Sequence, residues 1–191
     1  MQALRIIADE HRSLAAVLHA VHLMLRKISA DKTAADLKLL RAMVHFLDAC
    51  AEQRHHPKED ILFAYLKART SEADGALATL AAEHAAAPNR IAALHQALDE
   101  YALHPDALPA FAAAFETYAD FYRSHMLLEE EVALPAARKY LLEADWREVD
   151  ERFCQAAQPA TASPENFDDL FSRLVAYAPI PIGLGAGPYP D

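Results

Sequence analysis

Glycine is nearly absent from most of this chain. Of 191 residues four are glycine, and three of these, Gly183, Gly185 and Gly187, fall at the very end, leaving Gly75 alone in the body of the sequence. Sheets and hairpins draw on glycine for turns with positive φ, so an Ala- and Leu-rich body without it excludes an all-β protein and points to helices. Cysteine is scarce too. Cys50 and Cys154 form no CxxC pair and no disulfide framework, and both read as packing or surface residues. Basic charge is in deficit, with 18 Lys+Arg against 28 Asp+Glu and a formal net charge of −10, and there is no basic run to offset it locally. No nucleic-acid partner is expected from such a chain. Long apolar runs are missing as well, and the start MQALRIIADEHRSL has neither the basic head nor the apolar core of a signal peptide. No membrane partner and a cytoplasmic location are therefore expected.

What is present is helical periodicity. Helix 1 reads from residue 3 to 28 through Leu4, Ile7, His11, Leu14, Leu18, Val21, Leu25 and Ile28, stepping by threes and fours. Thr33…Asp36 resembles a capping box for helix 2, whose stripe Leu37, Leu40, Val44, Leu47, Ala51, His55, Glu59, Leu62, Leu66 ends near Arg69. Ser71…Asp74 repeats that cap signal for helix 3, with Leu77, Leu80, His84, Ala87, Ile91, Leu94, Leu98 and Tyr101 inward. After Leu103-His104-Pro105-Asp106 breaks the pattern, helix 4 runs to Leu141 through Phe111, Ala114, Tyr118, Phe121, His125, Glu129, Val132 and Ala136. Long amphipathic helices on short connectors predict an all-α, up-down-up-down antiparallel four-helix bundle over residues 1–142. Residues 143–178 read as a short C-terminal helical extension, with EADWREVDERFCQAA as one helix and a second opened by Ser163-Pro164. Residues 179–191 read as a Pro/Gly-rich tail.

Each bundle helix interrupts its apolar stripe with one histidine: His11, His55, His84 and His125. A buried imidazole needs partners for two nitrogens, and a buried carboxylate needs a compensating charge. In an antiparallel bundle the four histidines fall in one layer, with a spread of only ~5 Å at ~1.5 Å rise per residue. RHHPKED and SHMLLEE each place a glutamate four residues after a histidine, His55 to Glu59 and His125 to Glu129, on one helix face. The resulting six donors, His11, His55, Glu59, His84, His125 and Glu129, suit iron, zinc or manganese, because they offer nitrogen and oxygen without thiolate. His56 with Asp60 has the same spacing, and Pro57 can shift the register. His55 and Glu59 are preferred because they continue the stripe. His19, His22, His45, His95 and His104 read as surface or boundary residues, and Tyr118 as a core side chain within reach of the layer.

DEHRSL, RHHPKED, AAEHAAAPNR and SHMLLEEEVALP together resemble the hemerythrin-like, HHE cation-binding family. The resemblance implies two iron ions, as an oxo- or hydroxo-bridged di-iron centre, on the six donors named, with zinc or manganese as substitutes. It also implies a small diatomic partner, oxygen or nitric oxide, or iron handling. Oxygen-carrying members have a second helix 3 histidine one turn after the first, where this chain has Pro88. They also have an aspartate five residues after the helix 4 histidine, where this chain has Glu130, with Glu129 at four. The first departure implies four imidazoles instead of five, an exchangeable coordination position and poor reversible oxygen carriage. A binding, sensing or buffering protein is expected ahead of an enzyme. The alternatives are a di-iron oxidoreductase of ferritin-like chemistry, for which Glu52-Gln-Arg-His55 is the one fitting motif, and a zinc-stabilised regulatory bundle. The C-terminal extension is expected to cover one end of the bundle or to mediate a homodimer.

Overall fold

The computed structural model describes residues 1–31 and 35–156. Among these the order is α1 (Gln2–Asp31), α2 (Leu37–Leu47), a π-helical turn (Asp48–His55), α3 (His56–Arg69), α4 (Asp74–Leu103), a 3-10 turn (Pro105–Ala107), α5 (Leu108–Leu128), a second π-helical turn (Glu129–Ala133), α6 (Leu134–Tyr140) and α7 (Glu143–Ala156). The α2, π, α3 series is one continuous arm, and α5, π, α6 is another. No described helix is long and apolar enough to cross a membrane.

Two hydrophobic clusters fix the topology. One holds Leu14 to Ile28 of α1, Leu39 to Ala51 of the second arm, Ile91 to Tyr101 of α4 and Phe111 to Met126 of α5. The other holds Ala3 to Ile7, Leu62 to Leu66, Leu77 and Leu80, and Ala133 to Ala137. Successive arms thus traverse the two cores in opposite directions, which is the up-down-up-down, antiparallel arrangement. The polar layer lies between the cores.

Local signals account for most helix boundaries. Asp36 itself caps α2, its side chain accepting from Leu39 N at 2.9 Å, while Thr33 lies outside the described residues. The cap expected at Ser71 is not formed. Ala73 precedes α4 with no side-chain cap, and Thr70 Oγ1 instead accepts from Glu72 N at 3.1 Å. Pro109 stands in the first turn of α5, where the missing N–H costs nothing, and Pro57 and Pro135 each follow closely on a π-helical turn. Pro88 sits inside α4.

The second π-helical turn corrects the helix 4 stripe. An extra residue in the turn advances the inward face by one position, so Ala133 and Ala137 are buried where Val132 and Ala136 were expected, and Val132 is exposed.

From the expected extension, residues 143–156 form α7, which closes one end of the bundle. Its Trp146, Val149 and Phe153 join the cluster of Ala3, Leu4, Ile7, Leu62 and Leu66. Fully burying side chains of this kind contributes roughly 1.5–3 kcal/mol each. Asp145 accepts two hydrogen bonds from Arg69, at 2.8 and 2.6 Å, and Asp150 accepts from the first amides of α1, Gln2 at 3.0 Å and Ala3 at 2.7 Å. The helix expected from Ser163 and the tail lie outside the described residues.

Candidate metal centre

The four arms deliver seven donor side chains to the layer between the cores. His11 comes from the middle of α1 and His84 from α4. His55 ends the first π-helical turn, and His56 and Glu59 open α3. His125 closes α5, and Glu129 begins the second π-helical turn. Donor atoms of His11, His55, Glu59 and Glu129 all lie within 4.8 Å of one another, as do those of His56, Glu59, His84 and His125.

The six donors expected from the sequence are thus brought together, and His56 joins them. The widened turn Asp48–His55 explains this addition. In a regular α-helix adjacent residues point about 100° apart, whereas the π-helical geometry lets His55 and His56 both face inward, 0% and 4% exposed. Asp60 does not follow His56 inward. It is exposed and accepts from His84 Nδ1 at 2.8 Å. Five imidazoles converge on the layer where the resemblance implied four, the fifth being His56 of the second arm.

Glu59 and Glu129 link the two groups. Glu59 Oε1 lies 3.1 Å from His55 Nε2 and 3.5 Å from His11 Nε2, while its Oε2 lies 3.6 Å from His84 Nε2. Glu129 Oε2 lies 3.1 Å from His11 Nε2, while its Oε1 lies 3.1 Å from His125 Nε2 and 3.9 Å from His84 Nε2. Each carboxylate offers one oxygen to one set of imidazoles and the second to the other.

Outward-facing nitrogens are held by carboxylates. His11 Nδ1 donates to Glu130 and His125 Nδ1 to Glu83, both at 2.8 Å, and His55 Nδ1 donates to Glu10 at 2.9 Å. With His84 on Asp60, four imidazoles are fixed so that Nε2 points into the cluster. Such carboxylate–histidine pairs orient metal ligands and raise their basicity. His56 differs. Its Nδ1 is 3.2 Å from Glu52 Oε2 and its Nε2 is 3.0 Å from the Tyr122 hydroxyl, which donates to Glu52 Oε1 at 3.0 Å. Tyr118 packs on Tyr122, ring centroids 5.0 Å apart.

These supporting residues were missed by the stripe reading, although the signal was present. Glu52 and His56 repeat the four-residue spacing in reverse order, and Tyr122 stands one turn before His125. The remaining histidines conform to the expectation: His19, His45 and His104 are exposed, and His22 and His95 half-buried. Cys50 is buried and Cys154 exposed.

Electrostatics in the metal-free chain follow from this packing. Burial disfavours each charged imidazole, yet the carboxylates outweigh it. Glu129 and Glu59 raise His11 to about 10, Glu59 and Glu10 raise His55 to about 9, and Asp60 and Glu129 raise His84 to about 9. Burial pushes Glu129 upward, but His11, His125 and His84 hold its carboxyl well below the usual range. At His56 burial wins, and its value is lowered.

The donor set fits a metal cation on its own chemistry. His11 Nε2, His55 Nε2 and both oxygens of Glu59 and Glu129 are buried without a well-formed hydrogen bond, an arrangement that stable proteins avoid unless something else satisfies the group. His84 Nε2 and His125 Nε2 face each other at 3.2 Å. With both Nδ1 atoms donating outward, these two positions need a proton or a cation between them.

Comparison with known proteins agrees with the site. No curated protein and no solved structure gives a significant match. A family model, the hemerythrin HHE cation binding domain, matches residues 2–137, which span all four arms and every donor named, and the chain belongs to that family.

Proposed function

We propose that the protein is a non-haem di-iron protein that binds, senses or buffers a small ligand, oxygen or nitric oxide, or iron itself. The observation that carries this reading is the pair of buried carboxylates, Glu59 and Glu129, shared between two sets of imidazoles. His11 and His55 would hold one ion and His56, His84 and His125 the other, with both glutamates common to the two. Seven donors exceed the four that a closed structural zinc site takes, which favours two ions over one. Bound iron would supply reversible redox chemistry and affinity for small ligands.

The chain's own residues orient and insulate. Glu130, Glu10, Asp60 and Glu83 fix the tautomers of four imidazoles, and apolar cores pack above and below the layer. Loading the metal-free chain anaerobically with ferrous iron, followed by metal analysis, tests the reading: two ions per chain are expected, and saturation at one would overturn it. Azide or nitric oxide should then perturb the optical spectrum of the loaded protein.

A further inference from the structure

The two halves of the cluster differ in their access to solvent. A cavity of about 330 Å³ opens between the second arm and α4 and is lined by Glu52, His56, Asp60, Ala81, His84 and Pro88, among others. His56 and His84 belong to one donor group, whereas neither His11 nor His55 borders this cavity. On the other side His55 is fully buried behind the ion pair of Glu10 and Lys58, themselves 7% and 1% exposed. We propose that this cavity is the route by which a divalent cation reaches and leaves the centre, so that the ion on His56, His84 and His125 exchanges ahead of the ion on His11 and His55.

This rests on the reading of the cluster as a two-ion metal centre. The lining chemistry selects the occupant. Asp60 stands exposed at the mouth and Glu52 lies deeper, and each holds an imidazole of the cluster, at 2.8 Å to His84 and 3.2 Å to His56. A cation therefore meets a carboxylate before each imidazole, and an anion meets repulsion. Size agrees as well. A water takes about 30 Å³ of liquid volume, so the cavity admits an ion still carrying part of its hydration shell. Its wall on α4 is kept low by Ala81, Ala85 and Pro88, where larger side chains would fill the space.

The test uses the full chain loaded with zinc and challenged with a chromogenic chelator in stopped flow. Total bound metal is measured first. Two ions per chain are expected to leave in two phases of one ion each. Ala85→Phe and, separately, Ala81→Leu should slow the fast phase by about tenfold or more, leaving total metal unchanged. Circular dichroism verifies that both variants fold. Release of both ions in one phase, or a fast phase indifferent to both substitutions, overturns the proposal while the metal reading stands. A wild-type chain that takes up fewer than two ions overturns the metal reading, and this proposal with it.

Discussion

Glu10 and Lys58 form a buried ion pair at the edge of the histidine cluster, and the second oxygen of the same carboxylate accepts from His55 Nδ1. One glutamate thus ties α1 to α3 and sets the orientation of an imidazole. Lys58→Ala leaves that buried carboxylate with His55 as its remaining charged partner and should cost up to about 3 kcal/mol. The double change Glu10→Gln with Lys58→Met removes both charges and should cost clearly less. Denaturant unfolding of the three proteins checks this, and a Lys58→Ala variant as stable as the parent would contradict it.

The metal-free chain should lose stability as pH rises from 7 to 10. His11, near 10, and His55 and His84, near 9, are all raised above the unfolded value near 6.5. Their contribution is therefore complete below about 6.5 and vanishes as pH climbs through the folded values. Glu129 acts in the opposite sense, since its lowered carboxyl stabilises above the usual carboxylate range and is lost in acid. Thermal midpoints in chelator across this range test both limbs. Because metal must displace the imidazole protons, binding should release protons and tighten with pH. Calorimetry in buffers of different ionisation enthalpy counts them.

His56 and Asp60 should behave unlike each other despite their shared spacing. His56→Ala removes a side chain inside the cluster and should lower bound metal toward one ion per chain. Asp60→Asn alters the support of His84 and should weaken binding by about 10–100-fold without changing the number of ions. Metal analysis after dialysis separates the two. Unchanged metal content and affinity in His56→Ala would place that imidazole outside the coordination set.

The closing helix α7 should be integral to stability. Phe153 is fully buried against the α1 end of the core, and Phe153→Ala should cost about 3–5 kcal/mol. Asp150→Ala removes the acceptor for the Gln2 and Ala3 amides and should cost about 1 kcal/mol, a typical helix-cap value. Denaturant midpoints of the two variants provide the comparison.

The helical arms and their direction were legible because apolar residues recur at threes and fours and the connectors carry breakers. His11, His84, His125 and their layer were legible for the same reason: each replaces a Leu or Phe in an unbroken stripe. The phase shift at each π-helical turn was not, since nothing in Asp48–His55 or Glu129–Ala133 announces an added residue to a count based on 3.6 per turn. That ranked His56 second to His55, although Pro57 beside it pointed to a change of register, and it misassigned Val132. The supporting carboxylates Glu10 and Glu83 were invisible for another reason. They stand beside the stripe, where a solvated side chain has the same sequence pattern as one that bends back to hold an imidazole.

The two π-helical turns also divide the molecule in a way that the four-helix outline conceals. Below and above them, the same two arms present faces that are out of register, so the two hydrophobic clusters are separately phased bundles spliced end to end at the layer of donors. Deleting one residue from Asp48–His55 would restore an uninterrupted α-helix and leave everything after it facing as before, because the widened turn already absorbs that residue. Leu62 and Leu66 would stay in the lower core and Leu40 and Val44 in the upper one, while the turn that lets His55 and His56 both face inward would be lost. The splice can therefore be undone without dismantling either bundle, and the loss falls on the donor layer alone.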